Sequence, residues 1–127
     1  MARNKAVLSA ITGAAMICLC ACSNETQHIA EVTTGGNVHR GAAAIERYGC
    51  GSCHVIPGIS GAQGRVGTSL DGIADRIYIA GVLQNTPDNM VRWIRNPRAV
   101  DEKTVMPNLG VTQRDAADIA GYLYTLK

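Results

Sequence analysis

Two cysteines and a histidine stand at a spacing that fits covalent haem attachment. Cys50, Cys53 and His54 form a C-x-x-C-H sequence. In this pattern the two thiols add across the two vinyl groups of haem, and the adjacent imidazole becomes an axial ligand of the iron. We therefore expect one covalently bound haem c.

A zinc site or a redox-active dithiol would also use a C-x-x-C pair. Zinc needs more ligands, and the remaining histidines, His28 and His39, lie in or beside a polar segment. A thioredoxin-like dithiol is expected in a βαβ context, and the sequence shows no such pattern. Haem attachment is the preferred interpretation.

The second axial ligand is predicted to be Met106. It stands in an irregular stretch that Pro107 stiffens, as a loop that presents sulfur to iron would require. Met90 lies inside an apolar helical pattern and is interpreted as core filler. His39, as a second imidazole ligand, is the alternative.

The first 21 residues predict an export signal of the lipoprotein type. Arg3 and Lys5 precede an apolar run over residues 6–21, which is short for a retained membrane-spanning anchor, the alternative interpretation. The sequence Leu19-Cys20-Ala21-Cys22 resembles a lipobox, with Cys22 as the lipidated residue. Residues 22–38 are interpreted as a lipidated cysteine with a flexible tether, and residues 39–127 as the folded domain.

Composition limits the functions that this domain can have. The chain has no Phe, one Trp and four Tyr, so a bound macrocycle would supply apolar surface that a small core lacks. Removal of residues 1–21 takes away Arg3 and Lys5 and lowers the formal charge from +2 to zero. A neutral chain of this kind is not expected to bind nucleic acid.

Helical patterns account for most of the predicted structure. The first helix is predicted over residues 41–48, ending at Gly49, and a short helical turn over residues 70–76. Thr86 and Pro87 predict the start of another helix, which Asn96-Pro97 ends. Thr112 predicts the start of the last helix, with Asp115 at the capping-box position. Because no strand pattern is visible, the predicted fold class is all-α.

These motifs resemble the class I cytochromes c over residues 39–127. The resemblance implies a small fold in which the N- and C-terminal helices cross and loops wrap the haem. It rests on the haem motif and on residues that match the contact faces of those two helices, namely Gly41, Ile45, Ile119, Tyr122 and Leu123.

Within that family, the chain is most similar to cytochrome c domains fused to subunit II of bacterial haem-copper oxidases. The stretches 80–87, 93–97 and 106–109 carry this similarity. It implies that Leu70 packs on the haem and that the Trp93 indole donates to a haem propionate, although Trp93 also fits an ordinary core position. The family often has proline where this chain has Thr68, whose carbonyl is expected to orient His54.

The function implied is that of a single-electron carrier rather than an enzyme. We expect a stand-alone lipoprotein, exported and held by lipid at the periplasmic or outer side of a membrane. Its expected partners are a quinol-oxidising complex as donor and a terminal oxidase as acceptor. The alternative is a tightly bound cytochrome subunit of an oxidase or dehydrogenase complex. A haem enzyme or gas sensor with an open iron site fits less well, because Met106 would close the iron.

Overall fold

The computed structural model describes residues 24–127 of the chain. The predicted signal peptide at residues 1–21 and the predicted lipidation site Cys22 lie outside the described residues. In the described part, α1 covers residues 24–34, α2 covers Val38–Arg47, α3 covers Pro87–Arg95 and α4 covers Gln113–Leu123. Short 3-10 turns lie at Cys50–Ser52, Ile73–Asp75 and Pro97–Ala99, and two strands pair, β1 (Tyr78–Ile79) and β2 (Leu83–Gln84).

Helix α2 begins three residues earlier than the sequence pattern predicts. The reason is Asn37, whose side chain accepts a hydrogen bond from the Arg40 backbone N–H at 3.0 Å and caps the helix. The helix ends at Arg47, and Gly49 follows in the left-handed region with a φ of 70°. This conformation confirms Gly49 as the C-terminal stop.

The predicted starts of α3 and α4 are confirmed by their caps. The Thr86 hydroxyl accepts from the Asn89 N–H at 3.3 Å, with Pro87 in the first turn. The Thr112 hydroxyl accepts from the Asp115 N–H at 3.1 Å. Each cap satisfies a backbone donor that the helix itself leaves free.

Helices α2 and α4 pack closely, and a glycine allows the approach. A Cβ at Gly41 would meet the Asp118 carbonyl, 2.7 Å from its carbon, and would lie 3.0 Å from the Tyr122 Cβ. Beside this contact Arg40 donates to the buried Asp118 carboxylate from Nε at 2.7 Å and from Nη2 at 2.8 Å. Burial alone would raise the pKa of Asp118, but hydrogen bonds from Arg40 and from the Asn37 N–H lower it on balance.

The core lies where α2, α3 and α4 meet the loops between them. Its largest members include Ile45, Met90 and Trp93. Half-buried apolar side chains pack against it, and these include Tyr48, Cys50, Leu70, Met106, Tyr122 and Tyr124.

The all-α prediction is wrong, because the chain contains a small antiparallel sheet. Tyr78 pairs with Gln84 and Ile79 with Leu83. Between the strands Ala80 and Gly81 have φ values of 50° and 74°, and the Val82 N–H donates to the Ile79 carbonyl at 3.0 Å. Two consecutive left-handed residues form the kind of turn that matches strand twist in a hairpin. Strands of two residues are too short to show an alternating pattern, which is why the sequence did not reveal them.

Part of the segment interpreted as a flexible tether is helical. Residues 24–34 form α1, and its Ala30 is 2 % exposed. Glu31 accepts from the Asn37 side chain at 2.8 Å and from the Val38 N–H at 2.9 Å, so α1 is joined to the start of α2. None of the helices within residues 24–127 has the length and apolar character needed to cross a membrane.

Candidate functional site

The C-x-x-C-H segment forms one tight turn directly after α2. Gly49 redirects the chain into the 3-10 turn Cys50–Ser52. The N–H groups of Cys53 and His54 both donate to the Cys50 carbonyl, at 3.2 and 3.1 Å. Cys50 and Cys53 are free and partly exposed, and burial raises the pKa of the Cys50 thiol. The turn therefore presents two unpaired thiols and an imidazole within five residues.

The His54 ring is oriented by one backbone contact. Its Nδ1 lies 2.7 Å from the Thr68 carbonyl oxygen. A carbonyl can only accept, so Nδ1 carries the proton of the neutral ring and Nε2 keeps its lone pair. This is the arrangement in which an imidazole can bind a metal through Nε2 while a second group fixes its direction.

Two glycines let the chain lie directly against this turn. The Gly64 N–H donates to the Gly51 carbonyl at 3.0 Å, and the Gly67 N–H donates to the Cys53 carbonyl at 2.8 Å. A Cβ at Gly67 would lie 2.6 Å from Nδ1 and 2.8 Å from Nε2 of His54, well inside contact distance. Residues 64–68 thus form a close-fitting cradle for the imidazole. Any larger side chain at position 67 would displace the His54 ring.

The other predicted site residues have more varied positions. Met106 and Leu70 are both half-buried against the core, and their predicted contacts with haem stay predictions. Met90 is 2 % exposed, which confirms it as a core residue. Trp93 is 8 % exposed in the same core, and its hydrogen bond to a propionate stays a prediction. His39, the alternative ligand, lies exposed in the first turn of α2.

Several apolar side chains near His54 and Met106 are exposed to solvent. Val66, next to Gly67, is 71 % exposed, and Val105, next to Met106, is 76 % exposed. Leu109, in the same segment as Met106, is 40 % exposed. Sequence reasoning missed them, although valines in polar, Gly-rich loops are a usable signal for surface that a ligand or partner covers.

Sequence reasoning also missed two hydrogen bonds from tyrosines that hold the turn against α4. On the chain before Cys50, the Tyr48 hydroxyl donates to Asp115 Oδ2 at 2.8 Å. On the chain after His54, the Tyr122 hydroxyl donates to the Pro57 carbonyl at 2.6 Å. The C-x-x-C-H segment is therefore held to α4 on both sides.

These features fit a c-type haem. The free thiols of Cys50 and Cys53 share one turn, and the neighbouring His54 imidazole has Nε2 available. Exposed valines lie beside Gly67, which contacts the His54 ring, and beside Met106. Within residues 24–127, no group of three or more His, Cys, Asp or Glu side chains lies close enough together to hold a metal ion by itself.

Comparisons with known proteins relate the chain to an oxidase subunit. It is 31% identical over 90 residues to "Cytochrome c oxidase subunit 2" of Alkalihalophilus pseudofirmus, which covers 70% of this chain and 25% of that protein. It is 30% identical over 88 residues to "Cytochrome c oxidase subunit 2" of Bacillus sp. strain PS3, which covers 66% of this chain and 25% of that protein. No family model and no solved structure matches the chain.

These matches confirm part of the sequence-based resemblance. The chain is related in sequence to cytochrome c oxidase subunit 2 over part of its length, and it spans about a quarter of the length of these relatives. They favour an oxidase-related, cytochrome-like protein and do not favour the expected stand-alone class I cytochrome lipoprotein.

Proposed function

We propose that this chain is an electron-transferring cytochrome component of a respiratory oxidase complex and that it carries one covalently bound haem c. The similarity to cytochrome c oxidase subunit 2 supports the oxidase association. The observation that carries the haem assignment is the 2.7 Å contact between His54 Nδ1 and the Thr68 carbonyl, beside two free thiols.

Each residue has a distinct task in this proposal. Cys50 and Cys53 would hold the haem by adding their S–H groups across its two vinyl double bonds, which would become thioethers. His54 would bind iron through Nε2, with its ring oriented by Thr68, and Met106 would provide a thioether sulfur as the second ligand. The haem would then supply a one-electron couple between ferrous and ferric iron, and with both ligand positions filled it would offer none to a substrate.

Haem attachment can be tested by mass spectrometry of protein exported from a host that matures c-type cytochromes. We expect the mass of one haem on the wild-type chain and none on the Cys50→Ser, Cys53→Ser double variant. Ser52→Ala, which changes the exposed residue between the two thiols, is the matched control and should keep the haem. A wild-type chain exported without haem would refute the cofactor assignment.

The sixth ligand can be tested by optical spectroscopy of the ferric protein. A weak band near the red end of the visible spectrum accompanies the binding of a methionine sulfur to ferric haem iron. This band should disappear in Met106→Ala. It should persist in Met90→Leu, because Met90 is buried in the core and volume-conserving exchanges there are tolerated. An unchanged spectrum in Met106→Ala would show that another residue binds the iron.

Association with an oxidase distinguishes a complex subunit from a diffusing carrier. We expect the tagged chain, solubilised in mild detergent, to co-purify with oxidase subunits at a stoichiometric ratio. Recovery of all the haem-loaded chain as a monomer would instead identify it as a free carrier between a quinol-oxidising complex and a terminal oxidase. Mass spectrometry of the chain purified from membranes shows whether Cys22 carries lipid.

A further inference from the structure

Asp115 is the centre of a polar cluster that the proposed electron-transfer role leaves unexplained. Its Oδ2 accepts from the Tyr48 hydroxyl at 2.8 Å and from the Thr112 hydroxyl at 2.9 Å. Its Oδ1 lies 2.9 Å from Arg47 Nη2, and the Arg47 guanidinium lies 5.1 Å from the centre of the Tyr48 ring. The hydrogen bonds from Tyr48, Thr112 and Arg47 lower the pKa of Asp115.

The partners of Asp115 belong to two separate stretches of chain. Tyr48 is the C-cap of α2 and stands two residues before Cys50. Thr112 is the N-cap of α4 and ends the irregular segment, residues 104–112, that contains Met106. Val111, just before the cap, is 5 % exposed, so the far end of that segment is fixed in the core. One carboxylate therefore joins the segment that leads into the C-x-x-C-H turn to the segment that follows Met106.

We propose that Asp115 is a positioning residue that fixes the Met106 segment relative to the C-x-x-C-H turn and thereby stabilises the bond between Met106 and iron. This inference rests on the proposed function, since it assumes His54 and Met106 as axial ligands. It adds a residue that touches neither ligand. A flexible loop must lose conformational entropy each time it brings its sulfur to the metal, and a fixed loop end reduces that cost.

The chain offers a matched comparison for the tyrosine that reaches Asp115. The Tyr124 hydroxyl, at the other end of α4, donates to Asn85 Oδ1 at 3.1 Å. Tyr48→Phe and Tyr124→Phe each remove one phenol hydroxyl that hydrogen-bonds a side chain, the first between α2 and α4 and the second between the end of α4 and Asn85. Only the first touches Asp115.

Displacement of Met106 by added imidazole measures the effect in the haem-loaded protein. The loss of the weak red-end band gives the imidazole concentration at half displacement. We expect this concentration to fall about tenfold in Asp115→Ala, the equivalent of one charge-assisted hydrogen bond. It should fall about threefold in Tyr48→Phe and stay at the wild-type value in Tyr124→Phe. Asp115→Asn keeps a side-chain oxygen acceptor and should give an intermediate value.

The outcomes separate this inference from the proposed function. If the wild-type chain carries no haem or shows no red-end band, the function or its ligand set fails, and this inference fails with it. If the band is present but Asp115→Ala and Tyr48→Phe match the wild type, Asp115 does not position Met106, whereas the proposed function stands. An equal shift in Tyr124→Phe would also overturn the inference, because it would reveal general loosening of α4.

A second measurement does not depend on the iron. Amide hydrogen exchange should speed up in residues 104–111 of Tyr48→Phe and stay unchanged there in Tyr124→Phe. Tyr48→Phe leaves the Thr112 cap in place, so it remains informative if Asp115→Ala fails to fold. Unchanged exchange in Tyr48→Phe would contradict the inference.

Discussion

The contact between α2 and α4 predicts that Gly41→Ala destabilises the protein, although alanine is the better helix former. On propensity alone the change would stabilise α2 by about 1 kcal/mol. The new Cβ would instead lie 2.7 Å from the Asp118 carbonyl carbon and 3.0 Å from the Tyr122 Cβ. The first of these is backbone, so relief requires α4 to move as a unit.

The size of the effect follows from these opposing terms. Overpacking of this kind typically costs 1–3 kcal/mol and occasionally more, and contact with backbone places Gly41→Ala in the upper part of that range. After subtraction of the propensity gain, we expect a net loss of about 1–2 kcal/mol. For a domain of this size, such a loss lowers Tm by roughly 4–15 °C.

Thermal unfolding followed by far-UV circular dichroism measures this effect. Ala43→Gly, at an exposed position of the same helix, is the control, because it changes propensity without the interhelical contact. It should cost about 1 kcal/mol. A higher Tm for Gly41→Ala than for wild type would refute the close approach of the two helices as the reason for glycine here.

Three further predictions test the cap, the buried carboxylate and the cradle. Thr86→Ala should cost about 1 kcal/mol in urea unfolding, because it removes the N-cap of α3; an unchanged midpoint would contradict that role. The lowered pKa of Asp118 stabilises the fold above the unfolded-state value near 4, and this contribution is lost as pH falls through the folded-state pKa. The stability advantage of wild type over Asp118→Asn should therefore shrink in acid, and a constant difference would contradict the pairing with Arg40. Gly67→Ala should displace the His54 ring, shift its NMR resonances and reduce haem attachment, whereas unshifted resonances would argue against the cradle.

Local residue chemistry made parts of the fold predictable. Thr86, Thr112 and Gly49 act through neighbours within three residues, so the sequence alone revealed two helix starts and one helix end. The start of α2 was missed because Asn37 lies in a polar stretch that shows no apolar period. The two residues of this cap, Asn37 and Arg40, are only three apart in the sequence, and asparagine is a common N-cap residue, so the signal was local and visible.

Specific hydrogen bonds between residues far apart in the sequence could not be predicted. Tyr48 and Asp115 are 67 residues apart in sequence, and Tyr122 and Pro57 are 65 apart. Nothing in a single sequence specifies which carboxylate or carbonyl a tyrosine will reach. The hairpin was missed because its strands are only two residues long and because Ala80, rather than the usual glycine or asparagine, is the first left-handed residue of its turn.

Two ion pairs explain how α2 and α4 place the C-x-x-C-H turn. Arg40 pairs with Asp118, and Arg47 pairs with Asp115. The two arginines are about 10 Å apart along α2, but the two aspartates are only about 4.5 Å apart along α4, from the rise per residue of a helix. The long arginine side chains bridge this difference in spacing, and Gly41 lies between the two pairs, at the close contact with α4. Because the pair formed by Arg47 lies at the end of α2, it fixes the point from which the chain enters the turn at Cys50. The packing of α2 against α4 thereby sets the position of the turn that holds the predicted haem-binding residues.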